Sequence, residues 1–302
     1  MRATPLRVVY FGTPTVAVPP LQAMCRAGHD VALVVTRPPK RRGRRQAPTP
    51  SPVAAAAADL GLAVTSDLSD ALHVAADLGV VVAYGEHIPD EVLERCRTVN
   101  LHFSLLPRWR GAAPVERAIL AGDTETGVCL MDVTSEIDAG AVYRRASTAI
   151  ESHESADELR ARLCEMGVGL LLDALGEGFG DPVPQSGEMT WADKISPSEL
   201  RIDWTGPAEH VLRLVRVGGA WTTLRDRRLK VLEAGRATDC SRMDAAGTIQ
   251  LGPRPPDGPS VVVATGRGAV ELLTVQSEGR AAGPARDWAN GARIAGGESF
   301  DP

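Results

Sequence analysis

The 302-residue sequence is 44% hydrophobic and 24% charged, with a formal net charge of −5, which is typical of a globular protein and excludes a disordered or fibrous chain. The length favours two domains, and the acidic total gives no general indication of nucleic-acid binding. No apolar stretch reaches the roughly 18 residues that span a bilayer, and the five scattered cysteines include no Cys-x-x-Cys pair. We therefore expect a cytoplasmic protein without a signal peptide, a disulfide framework or a zinc site.

The first half of the chain predicts alternating strands and helices. An apolar strand over 7–11 ends at the turn Gly12-Thr13-Pro14, a helix around 21–25 ends at Gly28, and a second buried strand follows over 30–36. This is a βαβ unit with a parallel sheet, and because Gly-x-Gly-x-x-Gly is absent, a dinucleotide site is not indicated. The further predicted elements are helix 54–60, strand 63–65, helix 71–78, strand 79–83, helix 90–96, strand 99–103, helix 115–121, strand 126–133, extended segment 141–143 and helix 155–175.

The pattern changes after Trp204. A helix is predicted over 208–217, and then short extended segments (221–224, 228–234, 247–252, 260–265 and 269–276) alternate with turn residues, which indicates a small β-barrel or sandwich. The predicted fold class is α/β, a Rossmann-like, mostly parallel sheet with helices on both faces, followed by this smaller β-domain. We place the first domain at 1–185, a linker at 186–206 and the second domain at 207–302.

A basic loop follows the second strand, with six cations within nine positions. They are Arg37, Lys40, Arg41, Arg42, Arg44 and Arg45. Charges at this density repel one another unless an anion shares them, and the flanking prolines keep the segment extended. The loop is either a solvated surface segment or an arm that contacts a phosphate backbone, and the residues alone leave both interpretations open.

The candidate site lies on the strand predicted over 99–103. Asn100 and His102 are two residues apart, so both project from one strand face, and a loop rich in Pro and Gly follows. Asp138 lies in a loop after a neighbouring strand. An amide and an imidazole can stabilise an oxyanion while a carboxylate orients the imidazole or accepts a proton, which suits acyl transfer to an amine. A hydrolase based on Ser104 is less favoured because no Gly-x-Ser-x-Gly is present, and His102 has no second metal ligand at a suitable spacing.

The motif around these residues resembles the signature of the 10-formyltetrahydrofolate-dependent formyltransferases. It consists of Asn100-Leu-His102-Phe-Ser104-Leu-Leu-Pro107, Arg110-Gly111, Pro114 and Asp138-Ala-Gly140. The flanking motifs are similar to those of the family members that act on methionyl-tRNA, and they cover nearly the full chain. These flanks are Phe11-Gly-Thr-Pro14, Val82-Ala-Tyr-Gly85, Lys194-Ile-Ser-Pro197, Arg201-Ile-Asp-Trp204 and Gly219-Ala-Trp221-Thr.

The resemblance implies transfer of a formyl group from N10 of the folate co-substrate, without a metal, to the α-amine of methionyl initiator tRNA. Asn100, His102 and Asp138 are then the catalytic residues. The implied folate contacts are Ser104, Leu105, Leu106, Pro107, Val82, Ala83, Tyr84 and Gly85. The basic loop enters the region of the acceptor stem, with Arg42 as its principal contact, and the C-terminal domain is an OB-like barrel that binds along the tRNA. We expect a monomer that does not associate with membranes.

The sequence departs from the family pattern in three places. No Asn-Pro-Trp-Pro run precedes Ala220, no Lys-Lys-Met occurs over 283–290, and Glu136 stands where the family often has Gly. The first two departures affect the expected tRNA contacts and leave the catalytic assignment unchanged. One alternative is a formyltransferase for a small amine, such as an amino sugar nucleotide or a glycinamide ribotide, which shares the catalytic residues but does not require the basic loop. Another is a non-catalytic RNA-binding protein.

Overall fold

The computed structural model describes residues 4–41, 47–237, 245–252 and 260–301. The strands are β1 (Arg7–Gly12), β2 (Asp30–Val35), β3 (Val64–Thr65), β4 (Leu78–Val82), β5 (Thr98–His102), β6 (Arg110–Gly111), β7 (Glu125–Asp132), β8 (Val142–Ala149), β9 (Trp191–Ala192), β10 (Trp221–Leu224), β11 (Arg227–Arg236), β12 (Ile249–Gly252), β13 (Ser260–Ala264), β14 (Ala269–Ser277) and β15 (Gly283–Pro284). The helices are α1 (Val18–Arg26), α2 (Pro52–Asp59), α3 (Asp90–Leu93), α4 (Pro114–Ala121), α5 (Ala156–Glu177), α6 (Ala208–Val217) and α7 (Ala285–Ala292).

The chain forms two compact units. The first consists of Met1–Ala118, Thr124–Ile150 and Glu158–Lys194, and the second of Ile119–Asp123, Glu151–Asp157 and Ile195–Pro302. Among the described residues, the main sheet of the first unit has seven strands in the order β3-β2-β1-β4-β5-β7-β8. The pairs from β3 to β5 are parallel, and the pairs β5–β7 and β7–β8 are antiparallel. The predicted mostly parallel sheet is therefore confirmed.

The central strand β1 is covered on both faces. Val9 and Phe11 pack in a core cluster with residues of the segment 68–76 and α3, whereas the alternate residues Val8 and Tyr10 are equally buried on the other face. A strand buried on both sides needs a continuous apolar run in place of strict alternation, which explains the sequence of β1 and of the fully buried β4. Burial of both faces of β1 agrees with the expectation that both sides of the sheet are covered.

The helix predicted over 71–78 is wrong. The structure has a 3-10 helix over Leu68–His73, and the chain is extended by the time it reaches Leu78, the first residue of β4. The Asp67 carboxylate accepts a hydrogen bond from the Ser69 amide and starts the short turn. Pairing of β4 with β1 requires Leu78 to lie opposite Val8 in the sheet, and this tertiary contact overrides the local helical preference.

The second unit is built on an antiparallel sheet. Among the described residues, its strand order is β10-β11-β14-β13-β12, with β15 paired to β14, and the sheet curves as a half-barrel. Residues of α6 and α7 pack in the core of this sheet. The C-terminal end joins the same core because Phe300 stacks between Trp204 and Trp288, at ring centroid distances of 5.1 and 6.1 Å. The predicted smaller β-domain is confirmed, and its strand pairs are antiparallel, whereas α7 was not among the predicted elements.

Within the described ranges, we find no helix long and apolar enough to cross a membrane.

Candidate active site

The candidate site is built at the carboxyl end of β5, inside the main sheet. Asn100 lies opposite Val81 of the parallel neighbour β4 and Met131 of the antiparallel neighbour β7. Val99 and Leu101 are buried, which fixes the strand in the core and directs Asn100 and His102 together to the other face. The His102 side chain is only 5% exposed.

Asp138 approaches both of these side chains. The Asn100 amide Nδ2 donates to Oδ1 of Asp138 at 3.3 Å, and Nδ1 of His102 lies 3.5 Å from Oδ2. The main-chain amide of Gly111 donates to the same Oδ2 at 2.9 Å. The structure therefore brings together the three residues predicted as catalytic, with a carboxylate that is 17% exposed between the amide and the imidazole.

The second ring nitrogen of His102 is held by the main chain. Nε2 lies 2.8 Å from the carbonyl oxygen of Trp109. A carbonyl oxygen only accepts, so Nε2 carries a hydrogen in this arrangement. The other ring nitrogen, Nδ1, faces the Asp138 carboxylate at 3.5 Å. The Trp109 carbonyl oxygen and the Asp138 carboxylate therefore hold the imidazole from its two nitrogens.

Three non-glycine residues at the site have left-handed backbone conformations. They are Ala83, Trp109 and Asp138, with φ of 47°, 65° and 49°. Such conformations cost of order 1–3 kcal/mol each and persist where the surroundings over-determine them. Gly140, two residues after Asp138, has no room for a side chain, because a Cβ there would overlap the carbonyl oxygen of Asp132. The backbone around Asp138 is thus tightly specified.

The loop after β5 contains the four residues of the first predicted folate segment. Ser104 is fully buried, and its hydroxyl donates to the carbonyl oxygen of Arg108 at 2.6 Å instead of to His102. Leu106 packs in the core beside β7, whereas Leu105 and Pro107 are half-buried. The Ser104 and Leu106 side chains therefore shape the loop from inside, and Leu105 and Pro107 present partly exposed surface.

The loop after β4 contains the second predicted folate segment. Val82 and Tyr84 are buried, whereas Ala83 and Gly85 are exposed. The Thr13 hydroxyl donates to the Tyr84 carbonyl oxygen at 3.0 Å and fixes the loop. Burial raises the pKa of Tyr84 to about 12, so its phenol is neutral at physiological pH. Because β4 and β5 are parallel neighbours, this loop and the loop after β5 emerge at the same end of the sheet.

The basic loop is described in part. Arg37 is half-buried, and its Nε donates to Glu86 at 2.8 Å, whereas Lys40 and Arg41 are exposed. Lys40 and Thr49 exchange two main-chain hydrogen bonds, of 3.1 and 3.0 Å, which close the base of the loop. The predicted contacts Arg42, Arg44 and Arg45 lie outside the described residues.

The sequence pattern did not identify every residue that organises the site. Gly111, although part of the quoted motif, had no assigned role, and its amide hydrogen bond to Asp138 depends on the backbone conformation of the loop. Gln185 and Thr190 contact the loops that carry Asp138 and Trp109, but they lie in a Pro- and Gly-rich stretch with no recognisable motif. No sequence signal pointed to these two residues.

The described residues around the site bear on two other kinds of chemistry, a reactive thiol and a metal centre. Cys129, opposite His102 in the β5–β7 pair, is fully buried, and burial raises the pKa of its thiol, so little thiolate exists at neutral pH. Over the part of the chain that the structure describes, no group of three or more His, Cys, Asp or Glu side chains is arranged to hold a metal ion.

Two family profiles match the sequence in succession. The formyl transferase profile matches residues 6–175, and the profile of the formyl transferase C-terminal domain matches residues 194–293. A methionyl-tRNA formyltransferase from Jannaschia sp. (strain CCS1) is 41% identical over 309 residues, which covers 97% of this chain and 99% of that relative.

Solved structures with the same fold are more distant in sequence. HypX from Aquifex aeolicus, in complex with tetrahydrofolic acid, has a TM-score of 0.64 at 17% identity and covers 98% of this chain, which spans 49% of the HypX chain. An N-formyltransferase from Helicobacter canadensis, in complex with folinic acid and dTDP-3-aminofucose, has a TM-score of 0.64 at 14% identity, with coverage of 91% and 100%. The family resemblance seen in the sequence is confirmed by the profiles and by the 41% relative. The chain belongs to the formyl transferase family.

Proposed function

We propose that this protein transfers the formyl group of 10-formyltetrahydrofolate to the α-amine of methionyl initiator tRNA and so supports translation initiation. The observation that carries the proposal is the Asp138 carboxylate between Asn100 and His102, in a chain 41% identical to a methionyl-tRNA formyltransferase over almost its full length. The co-substrate supplies the formyl carbon, bonded to its N10 nitrogen.

The three residues have separate tasks in this transfer. Attack of the amine on the formyl carbon develops negative charge on the formyl oxygen, and the Asn100 amide and the His102 imidazole are groups suited to stabilise it by hydrogen bonding. Asp138 orients the imidazole or accepts a proton from the amine, directly or through water. The carbon–nitrogen bond to the acceptor amine forms, the bond to N10 breaks, and the proton lost by the amine is returned to N10.

The folate contacts are proposed for the two loops at the carboxyl ends of β4 and β5. Ala83 and Gly85 are exposed on either side of a buried Tyr84, and because neither has a large side chain, this loop can offer main-chain hydrogen-bonding groups to a planar heterocycle. The segment Ser104 to Pro107 borders the same end of the sheet, with Leu105 and Pro107 providing partly exposed apolar surface. This combination of polar main chain and apolar edges fits the chemistry of a pterin.

For tRNA we propose the basic loop and, independently, a surface of the second unit. Lys40 and Arg41 are exposed at the base of the loop whose other cations are Arg42, Arg44 and Arg45. Arg37 contributes by holding the loop base through Glu86 as well as through its charge. Dense positive charge on an otherwise acidic chain suits contact with phosphates.

The surface in the second unit is a cleft of about 360 Å³ on β11 and β14. Its lining contains three exposed cations, Arg228, Lys230 and Arg280, beside one carboxylate, Glu278. The Arg228 guanidinium lies 4.2 Å from the ring centroid of Trp221, so a planar aromatic group adjoins the cations. Cations next to an aromatic ring fit an RNA strand, which presents both phosphates and bases.

We infer that residues 1–185 carry out formyl transfer, that 186–206 link the domains and that 207–302 bind the tRNA. The two compact units and the two successive profile matches support a division into two domains, and the last change from one unit to the other falls between Lys194 and Ile195, inside the proposed linker. We further propose that the protein acts as a monomer in the cytoplasm, where aminoacylated tRNA is found.

A competition assay tests the choice of amine. The purified protein is given 10-formyltetrahydrofolate with methionyl-tRNA, an amino sugar nucleotide and glycinamide ribotide together, and each formylated product is quantified. We expect formyl-methionyl-tRNA to dominate. Preferential formylation of a small amine would establish the first alternative, and tRNA binding without folate binding or transfer would establish a non-catalytic RNA-binding protein.

A further inference from the structure

Residues 183–192, which we call the strap, lie between the two regions matched by the family profiles. The strap begins with Val183, which exchanges two main-chain hydrogen bonds of 2.8 Å with Val142. It ends in β9, which pairs in parallel with β6. Between these two anchors it contacts both loops that carry the catalytic groups.

Gln185 holds the Asp138 loop. Its Nε2 donates to the main-chain carbonyl oxygens of Asp138 at 2.7 Å and of Gly140 at 2.9 Å, while its Oε1 accepts from Nε and Nη2 of Arg110 at 3.0 and 2.8 Å. These partners fix the orientation of the amide, because a flipped amide would direct its NH2 at a guanidinium and its oxygen at two carbonyl oxygens. The side chain is thus fully bonded on both sides.

Thr190 holds the other loop. Its hydroxyl oxygen accepts from the main-chain amide of Trp109 at 2.9 Å, and its carbonyl oxygen accepts from the amide of Arg110 at 2.9 Å. The carbonyl oxygen of the same Trp109 binds Nε2 of His102. The strap therefore reaches His102 through one intervening residue.

Both residues held by the strap have left-handed backbones, with φ of 49° at Asp138 and 65° at Trp109. A strained conformation relaxes unless its surroundings oppose the relaxation. If the backbone of Asp138 relaxed, its carboxylate would move away from Asn100 and His102. If the backbone of Trp109 relaxed, its carbonyl oxygen would lose the contact with Nε2 of His102. Misplacement of a reacting group by about 1 Å can cost on the order of a hundredfold in rate.

We propose that the strap is a positioning element for formyl transfer, with Gln185 and Thr190 as positioning residues that act through Asp138 and His102. This inference rests on the proposed function and assigns part of its catalytic geometry to a segment that neither profile includes. It also gives Arg110 a role, because Arg110 bonds both to Gln185 and, at 3.1 Å, to Glu136 at the start of the Asp138 loop.

Two Gln185 variants remove different sets of the hydrogen bonds that the side-chain amide makes. Gln185→Glu keeps the oxygen that accepts from Arg110 but loses the donors to the two carbonyl oxygens, whereas Gln185→Met loses both. We expect each to lower kcat about tenfold or more, with KM for folate and tRNA changed less than about threefold. Thr190→Val, which removes only the hydroxyl, should give the same kcat signature. The control is Glu188→Gln, an exposed position on the strap, for which wild-type kcat is expected.

Thermal unfolding of each purified variant and hydrogen exchange over residues 134–141 accompany the kinetics. Faster exchange of this loop in Gln185→Met is expected whether or not the acceptor amine has been identified correctly, so failure of the proposed function and failure of the strap proposal are distinguishable. If the Gln185 variants do not fold, Thr190→Val alone decides, with reduced kcat as the expected result. Wild-type kcat in a folded Gln185→Glu or Thr190→Val protein, or unchanged loop exchange in a folded Gln185→Met protein, would overturn the proposal.

Discussion

At the scale of single residues, the candidate site depends on the Asp138 carboxylate. This carboxylate lies against the side chains of Asn100 and His102 and accepts a hydrogen bond from the main-chain amide of Gly111. The strand spacing of Asn100 and His102 was sufficient to predict that they share a face, because side chains alternate along a strand. Asp138 was predicted from its place after a neighbouring strand. Gln185 could not be predicted, since it reaches Asp138 across 47 positions of sequence through an irregular segment.

Loss of the carboxylate or of the imidazole should slow the chemical step strongly. We expect Asp138→Asn and His102→Ala each to reduce kcat by about a hundredfold or more, because each removes an acid–base or oxyanion group. Single-turnover formylation with saturating folate and methionyl-tRNA measures this directly. His153→Ala, at an exposed histidine, is the control and should retain the wild-type rate. A rate within about threefold of wild type in either variant would remove that residue from its catalytic role.

At the scale of elements, β4 and β5 position the site because they are parallel, adjacent and buried, so that their following loops meet at one end of the sheet. Apolar runs such as Val-Val-Val in β4 made these strands predictable from sequence. The segment 68–78 was not predictable, since apolar residues in a short run suit a helix or a strand until the sheet register decides. For the basic loop, tRNA is suggested as the partner by the charge of the loop and not by its conformation.

The basic loop should determine the electrostatic part of tRNA affinity. Removing one phosphate contact with Arg42→Ala should weaken tRNA binding and make the negative slope of log K against log salt shallower by about 1, while folate affinity stays unchanged. Filter binding or fluorescence anisotropy over a range of salt concentrations gives this slope. An unchanged slope would indicate that the loop is only a solvated surface segment.

At the scale of the whole molecule, a protein with a net charge of −5 is proposed to bind a polyanion, which requires its cations to be concentrated locally. The two-domain organisation and both fold types were predictable because βαβ alternation and closely spaced short strands differ in period. The cationic cleft of the second unit was not, because Arg228, Lys230 and Arg280 meet only when β11 pairs with β14.

The cleft can be tested apart from the loop. The double substitution Arg228→Ala with Lys230→Ala should make the negative slope of log K for tRNA against log salt shallower by about 2. It should also raise KM for methionyl-tRNA, with kcat and folate affinity preserved. Arg267→Ala, at another exposed cation of the second unit, serves as the matched control. Equal tRNA affinity for the double variant and the control would show that the cleft does not contact tRNA.

Formyl transfer to initiator methionyl-tRNA is tested most directly by single-turnover formylation of initiator and elongator methionyl-tRNA, measured side by side with the purified full chain and 10-formyltetrahydrofolate. The expected result is that the α-amine of the initiator methionyl-tRNA becomes formylated, faster than that of the elongator. A folded, folate-binding protein that leaves initiator methionyl-tRNA unformylated would contradict it.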